Sequence, residues 1–76
     1  MSRTLALTAM VIREGEQFVA LCPELDISSF GESREDARRM LQEAIEGFLL
    51  VADDEEVDYR LANPVGFTEA FPISRG

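Results

Sequence analysis

Cys22 and the carboxylates of Glu24, Asp26 and Glu32 are the side chains of this 76-residue chain whose types and closeness could support chemistry. A cysteine becomes a nucleophile when a base or a positive environment draws off its proton. The chain has no histidine, and Cys22 follows Leu21 in an apolar run, so it reads as core filler. Being the only cysteine, it allows no intrachain disulfide and gives no sign of an oxidising compartment. Glu24, Asp26 and Glu32 offer oxygens of the kind a divalent cation takes, but their spacing matches no metal loop. A glycine-rich phosphate loop and a zinc-type cluster are also absent from the sequence. No metal, cofactor or enzymatic activity is expected, and a metal-dependent nuclease stands only as a third reading behind two that involve binding.

The overall charge points the same way. Seven arginines and no lysine face fifteen acidic residues, for a net charge of −8. That balance disfavours nucleic acid or an anionic membrane as a direct ligand and suits a basic protein partner. The four acids Asp53, Asp54, Glu55 and Glu56 form a run that reads as solvated surface or as an electrostatic contact for such a partner. Hydrophobic content of 46% argues against disorder. There is no signal-peptide pattern and no apolar run near the length of a membrane span, so a cytoplasmic protein is expected.

The elements that must position these groups follow from periodicity. Ala37, Met40, Leu41, Ala44, Ile45, Phe48 and Leu49 recur at helical spacing, with Glu35, Arg38, Arg39, Gln42, Glu43 and Glu46 opposite. Ser33 is the expected N-cap, and Glu35/Arg39 and Arg39/Glu43 are the expected ion pairs. Gly47, inside the helix, suggests either close packing or early fraying. Residues 4–13 and 17–22 read as a hairpin closed by Glu14-Gly15-Glu16. Residues 27–30 read as a short third strand, residues 57–61 as a brief extension and residues 67–73 as a last strand. Both hairpin strands are apolar on both faces: Phe18, Ala20 and Cys22 on one side of the second strand, Val19 and Leu21 on the other. A sheet with two apolar faces needs two covers, and one helix supplies one. The last third of the chain offers part of a second cover, and a partner chain is the more natural candidate for it.

The run Phe18-Val19-Ala20-Leu21-Cys22-Pro23-Glu24-Leu25-Asp26, then Gly31-Glu32-Ser33, then a helix containing Glu35-Asp36-Ala37 and Glu43-Ala44, resembles the HicB family of antitoxins from the start of the chain to about Leu50. The resemblance implies a partial ribonuclease H-like fold of β-β-β-α-β order, in agreement with the periodicity. It also implies a partner, a small basic HicA-type ribonuclease toxin. A ribonuclease H site needs acids converging on metal ions, and residues 4–12 carry none, so the fold is read as non-catalytic. Self-repressing family members carry a C-terminal DNA-binding segment. A single domain over residues 1–76 leaves no room for one, so direct DNA binding is not expected.

The expectation is therefore an α+β domain that works by binding protein. Its leading reading is an antitoxin that masks the toxin's RNA-binding or catalytic surface, with Glu24, Asp26, Asp53, Asp54, Glu55 and Glu56 as the contacting acids. The alternative is a self-associating module, a dimer or tetramer without a toxin partner, in which the second apolar sheet face pairs with itself about a two-fold axis.

Overall fold

A computed structural model describes residues 4–76 of the chain. Three antiparallel strands, β1 (Met10–Glu14), β2 (Gln17–Cys22) and β3 (Ile27–Gly31), form a sheet in the order β1-β2-β3, followed by two helices, α1 (Arg34–Val51) and α2 (Asp54–Ala62). The α+β class and the three strands before the main helix agree with the pattern read from the sequence. The hairpin pairs Glu14 with Gln17 and so has a two-residue loop, Gly15-Glu16. Gly15 sits at φ +64° there, a conformation that glycine adopts without steric cost and that matches the twist of the flanking strands.

β1 is shorter than residues 4–13. Pro23 ends β2; on the observed register Ala9 falls opposite Cys22, and residues 4–8 run past the end of the strand. Thr8 is held instead by a side chain: its N–H donates to Glu24 Oε1 at 2.9 Å and its hydroxyl to Oε2 at 2.5 Å. The β2–β3 turn carries Pro23, Glu24, Leu25 and Asp26, with Asp26 in the left-handed region at φ 56°. Aspartate is one of the few non-glycine residues that visit it readily. That turn drives Leu25 inward, where it is fully buried with Ala20, Cys22, Ala37 and Leu41.

α1 begins at the expected cap. Ser33 Oγ accepts the Asp36 N–H at 3.0 Å, satisfying one orphan donor of the helix, and Asp36 reaches back past the cap to accept the Glu32 N–H at 3.1 Å. Asp36 is held below the usual carboxylate range, first by the Glu32 N–H and then by Arg39. Arg39 bridges Asp36 and Glu43, whereas Glu35 pairs with Arg34 rather than with the expected Arg39. These pairs are exposed and contribute little. The helix packs through Ala37, Leu41, Ile45 and Phe48, with Met40 and Leu49 at the exposed margins of the stripe.

Two expectations fail after Val51. Residues 53–61 are neither a loop nor an extension but the start and body of α2. Asp53 caps it by accepting the Glu56 N–H at 2.8 Å, and Asp54, Glu55 and Glu56 fill the first turn, where the helix dipole favours negative charge. Val57 is buried, Leu61 packs against the core, and Arg60 donates to the Leu25 carbonyl at 2.7 Å while lying 4.4 Å from the centre of the Phe48 ring. The closing strand over residues 67–73 is likewise not formed. α2 carries the chain to the β2–β3 turn, where Gly66 lies against Pro23, and the segment leaves there without meeting a sheet edge. The observed order over the described residues is β-β-β-α-α.

The two glycines of the helical region behave oppositely. A Cβ on Gly31 would stand 2.6 Å from the Ala37 backbone nitrogen, so β3 and the start of α1 touch because Gly31 has no side chain. A Cβ on Gly47 would meet nothing within 4 Å, and the helix continues past it to Val51, so neither close packing nor fraying explains it. Gly47→Ala should therefore stabilise the fold by about 0.5–1 kcal/mol through helix propensity alone. Gly31→Ala should destabilise it by roughly 1–3 kcal/mol through overpacking. Thermal denaturation followed by circular dichroism separates them; equal effects of one sign would contradict this packing.

Candidate functional site

The strand register decides which side chains share a face. Val11 pairs with Ala20 and Cys22 with Ile27, so these residues, with Phe18, look toward α1. Met10 pairs with Leu21, Ile12 with Val19, and Val19 with Phe30, so Met10, Ile12, Val19, Leu21 and Phe30 share the other face. α1 packs on the first face, and α2 adjoins it through Leu25 and Phe48. The second face is left to solvent: Phe30 is 63% exposed and Ile12 44%. Each is isolated by sequence position, yet the sheet sets all five side by side.

The polar surroundings of this patch carry one sign. Glu14 follows Ile12 on the same face, opposite Gln17, and Glu16 stands in the adjoining turn. Glu32 follows Phe30 just beyond β3. Arg13 lies on the alternate face of β1, and Arg34, Arg38 and Arg39 are on α1. An apolar centre with acids at one end and no described cation on its face suits an apolar surface flanked by basic residues.

The acids singled out from the sequence are not brought together. Glu24 is spent within the chain, accepting from Thr8 and, at 3.4 Å, from the Cys22 thiol. Burial opposes its ionisation, but the two Thr8 hydrogen bonds outweigh burial and hold its carboxyl below the ordinary glutamate value. It pins Thr8 to the turn. Asp26 is exposed at a cleft lined also by Tyr59, Arg60 and Asn63. Asp53, Asp54, Glu55 and Glu56 lie at the far end of α2, with Asp53 engaged as the cap and Glu56 paired with Arg60. Glu32 is separated from Glu24 and Asp26 by the length of β3, about 16 Å. Among the described residues no group of three His, Cys, Asp or Glu is arranged to hold a metal ion.

Cys22 is buried in the core, and burial pushes its thiol up from the ordinary value, so it packs as an apolar residue. The acids beside the uncovered face, Glu14, Glu16 and Glu32, were missed as a group because only strand register places them at one end of a single patch. Among the described residues, no helix is long and apolar enough to cross a membrane. No protein-family model matches the chain, and comparison with curated proteins and with solved structures gives no match.

The Glu24 latch has a pH signature. A carboxyl whose folded value lies below its unfolded value, about 4.3 for glutamate, stabilises the fold fully above that value and loses this contribution as pH falls through the folded one. The Thr8 amide resonance should therefore titrate below the ordinary glutamate range, and Glu24→Gln should abolish that titration. A Thr8 resonance indifferent to pH between 6 and about 2.5 would contradict the latch.

Proposed function

We propose that this chain is a protein-binding domain whose uncovered sheet face, Met10, Ile12, Val19, Leu21 and Phe30, seats a basic partner. The observation that carries the reading is that face: five apolar side chains in register on a sheet whose packing helices adjoin the opposite side. Contiguous exposed apolar surface of this kind, with a charged rim, marks interaction sites. The partner named by the resemblance to HicB antitoxins is a small HicA-type ribonuclease toxin. The β-β-β-α order, the Ser33 cap and the net charge of −8 support that assignment. Neutralisation is then steric and electrostatic: apolar residues anchor the toxin and acids occupy its RNA-binding surface.

The geometry redistributes the work among the acids. Glu24 is engaged by Thr8 and contributes through the fold. Glu14, Glu16 and Glu32 adjoin the apolar centre, while Asp26, Asp54 and Glu55 belong to the surface around α2. Self-association of the uncovered face about a two-fold axis is the second reading, favoured by the same five residues, because an isologous apolar face can cover itself.

Co-expression with a small basic HicA-type toxin from the same source should give a stable complex and rescue growth. Burying a side chain the size of Phe30 contributes roughly 1.5–3 kcal/mol, so Phe30→Asp should weaken the complex at least tenfold. Glu14→Lys with Glu32→Lys should weaken it in a salt-dependent way, and Asp54→Lys with Glu55→Lys should do so only if α2 borders the interface. No complex, with a dimer that dissociates in Phe30→Asp, would replace this reading with the self-associating one.

A further inference from the structure

The chain exposes more surface than a self-contained domain of its size. Its accessible area is 6222 Å², against about 4,700 Å² for a folded monomer of this mass. Its radius of gyration is 14.4 Å, against about 11 Å. Much of the surplus lies after α2, where Phe67 is 86% exposed, Phe71 69% and Ile73 77%. These residues alternate with Thr68, Ala70 and Pro72, so in extended backbone Phe67, Glu69, Phe71 and Ile73 share one face.

A matching vacancy lies elsewhere on the chain. α1 packs mainly over β3 and β2, and the space between it and residues 5–9 is an open groove of about 340 Å³ lined by Leu5, Leu7, Leu41 and Ile45, with Arg38 and Glu46 among its polar groups. Among the described residues β1 pairs with β2 alone, and residues 5–9, which lead into it beside this groove, belong to no strand ladder.

We propose that residues 67–73 of one copy dock as a strand in the groove between residues 5–9 and α1 of a second copy, and that the exchange is reciprocal. Phe67 and Phe71 stand about 13 Å apart in extended chain, the length of residues 5–9 and close to the roughly 12 Å from Arg38 to Glu46 along α1. Glu69, between them, faces Arg38, a groove cation with no carboxylate partner among the described residues. Pro72 has no N–H to donate, so the docked strand must turn position 72 away from the ladder. Phe67, Phe71 and Ile73, each more than two-thirds exposed, together with the apolar walls of the groove, supply apolar surface for such an interface to bury. Two like chains exchanging one terminal segment close about a two-fold axis. The exchange uses the groove beside β1 and leaves the Phe30 face free, so it stands whether or not that face binds a toxin.

Light scattering after gel filtration at about 100 μM, well above the micromolar dissociation constants of modest interfaces, tests the dimer. The full chain should run at twice 8.5 kDa. Phe67→Asp with Phe71→Asp should raise the dissociation constant at least tenfold with unchanged circular dichroism, while Phe30→Asp should leave the dimer intact. Chains carrying Leu7→Cys, mixed with chains carrying Phe71→Cys, should form an interchain disulfide on mild oxidation, since Cys22 is buried. A monomer, a dimer indifferent to the tail variants, or a chain with both cysteines that closes the bond within itself would overturn the proposal.

Discussion

Ala37 resting on Gly31 is the contact on which the rest of the fold depends. A Cβ at position 31 would reach the backbone of Ala37, so the close approach exists only because glycine stands there. It sets the start of α1 against the end of β3, and the helix then runs so that Leu41 and Phe48 close over Ala20, Cys22 and Leu25. The core that results is small and lies on one side of the sheet. A domain of this length buries only about 60% of its unfolded surface, so one helical stripe is close to all the cover it can supply.

The uncovered face follows from that constraint. β2 is apolar on both sides, and α1 can satisfy one of them. α2 does not relieve the other side, because Arg60 ties it to the Leu25 carbonyl and the Phe48 ring. Leaving Ile12 and Phe30 in water forgoes the roughly 25 cal/mol per Å² that their burial would return, which is tolerable when a partner covers them. On the proposed reading, the acids beside the patch would select among partners by sign, while the apolar centre would supply most of the affinity.

Much of this was legible before the structure. The α1 stripe, its Ser33 cap, the hairpin and the doubly apolar β2 could each be read from spacing, because local propensity and tertiary packing agree there. α2 was hidden behind its charge: Asp53 to Glu56 looks like a solvated run, although a capping aspartate, first-turn acids, and Val57 with Leu61 four apart are a helix signature. The strand expected over residues 67–73 has the right alternation, but pairing is a tertiary property and no edge of its own chain meets it. Glu24 was read as a surface acid because no sequence rule reports that Thr8, sixteen residues away, would claim both of its oxygens. The rim of Glu14, Glu16 and Glu32 depends on register, which fixes side-chain facing only once the pairing is known.

The central claim is that, among the described residues, the sheet is covered by its own chain on one face alone. Paramagnetic relaxation of methyl groups by an inert solvent probe measures this directly on the isolated protein. The Met10, Ile12 and Val19 methyls should relax as surface groups do, while those of Leu25 and Leu41 should be shielded, and adding a bound partner should shield the first set as well. Shielding of Ile12 and Val19 in the dilute, isolated chain would mean that the face is already covered, and the account of this domain as a binding surface would fail.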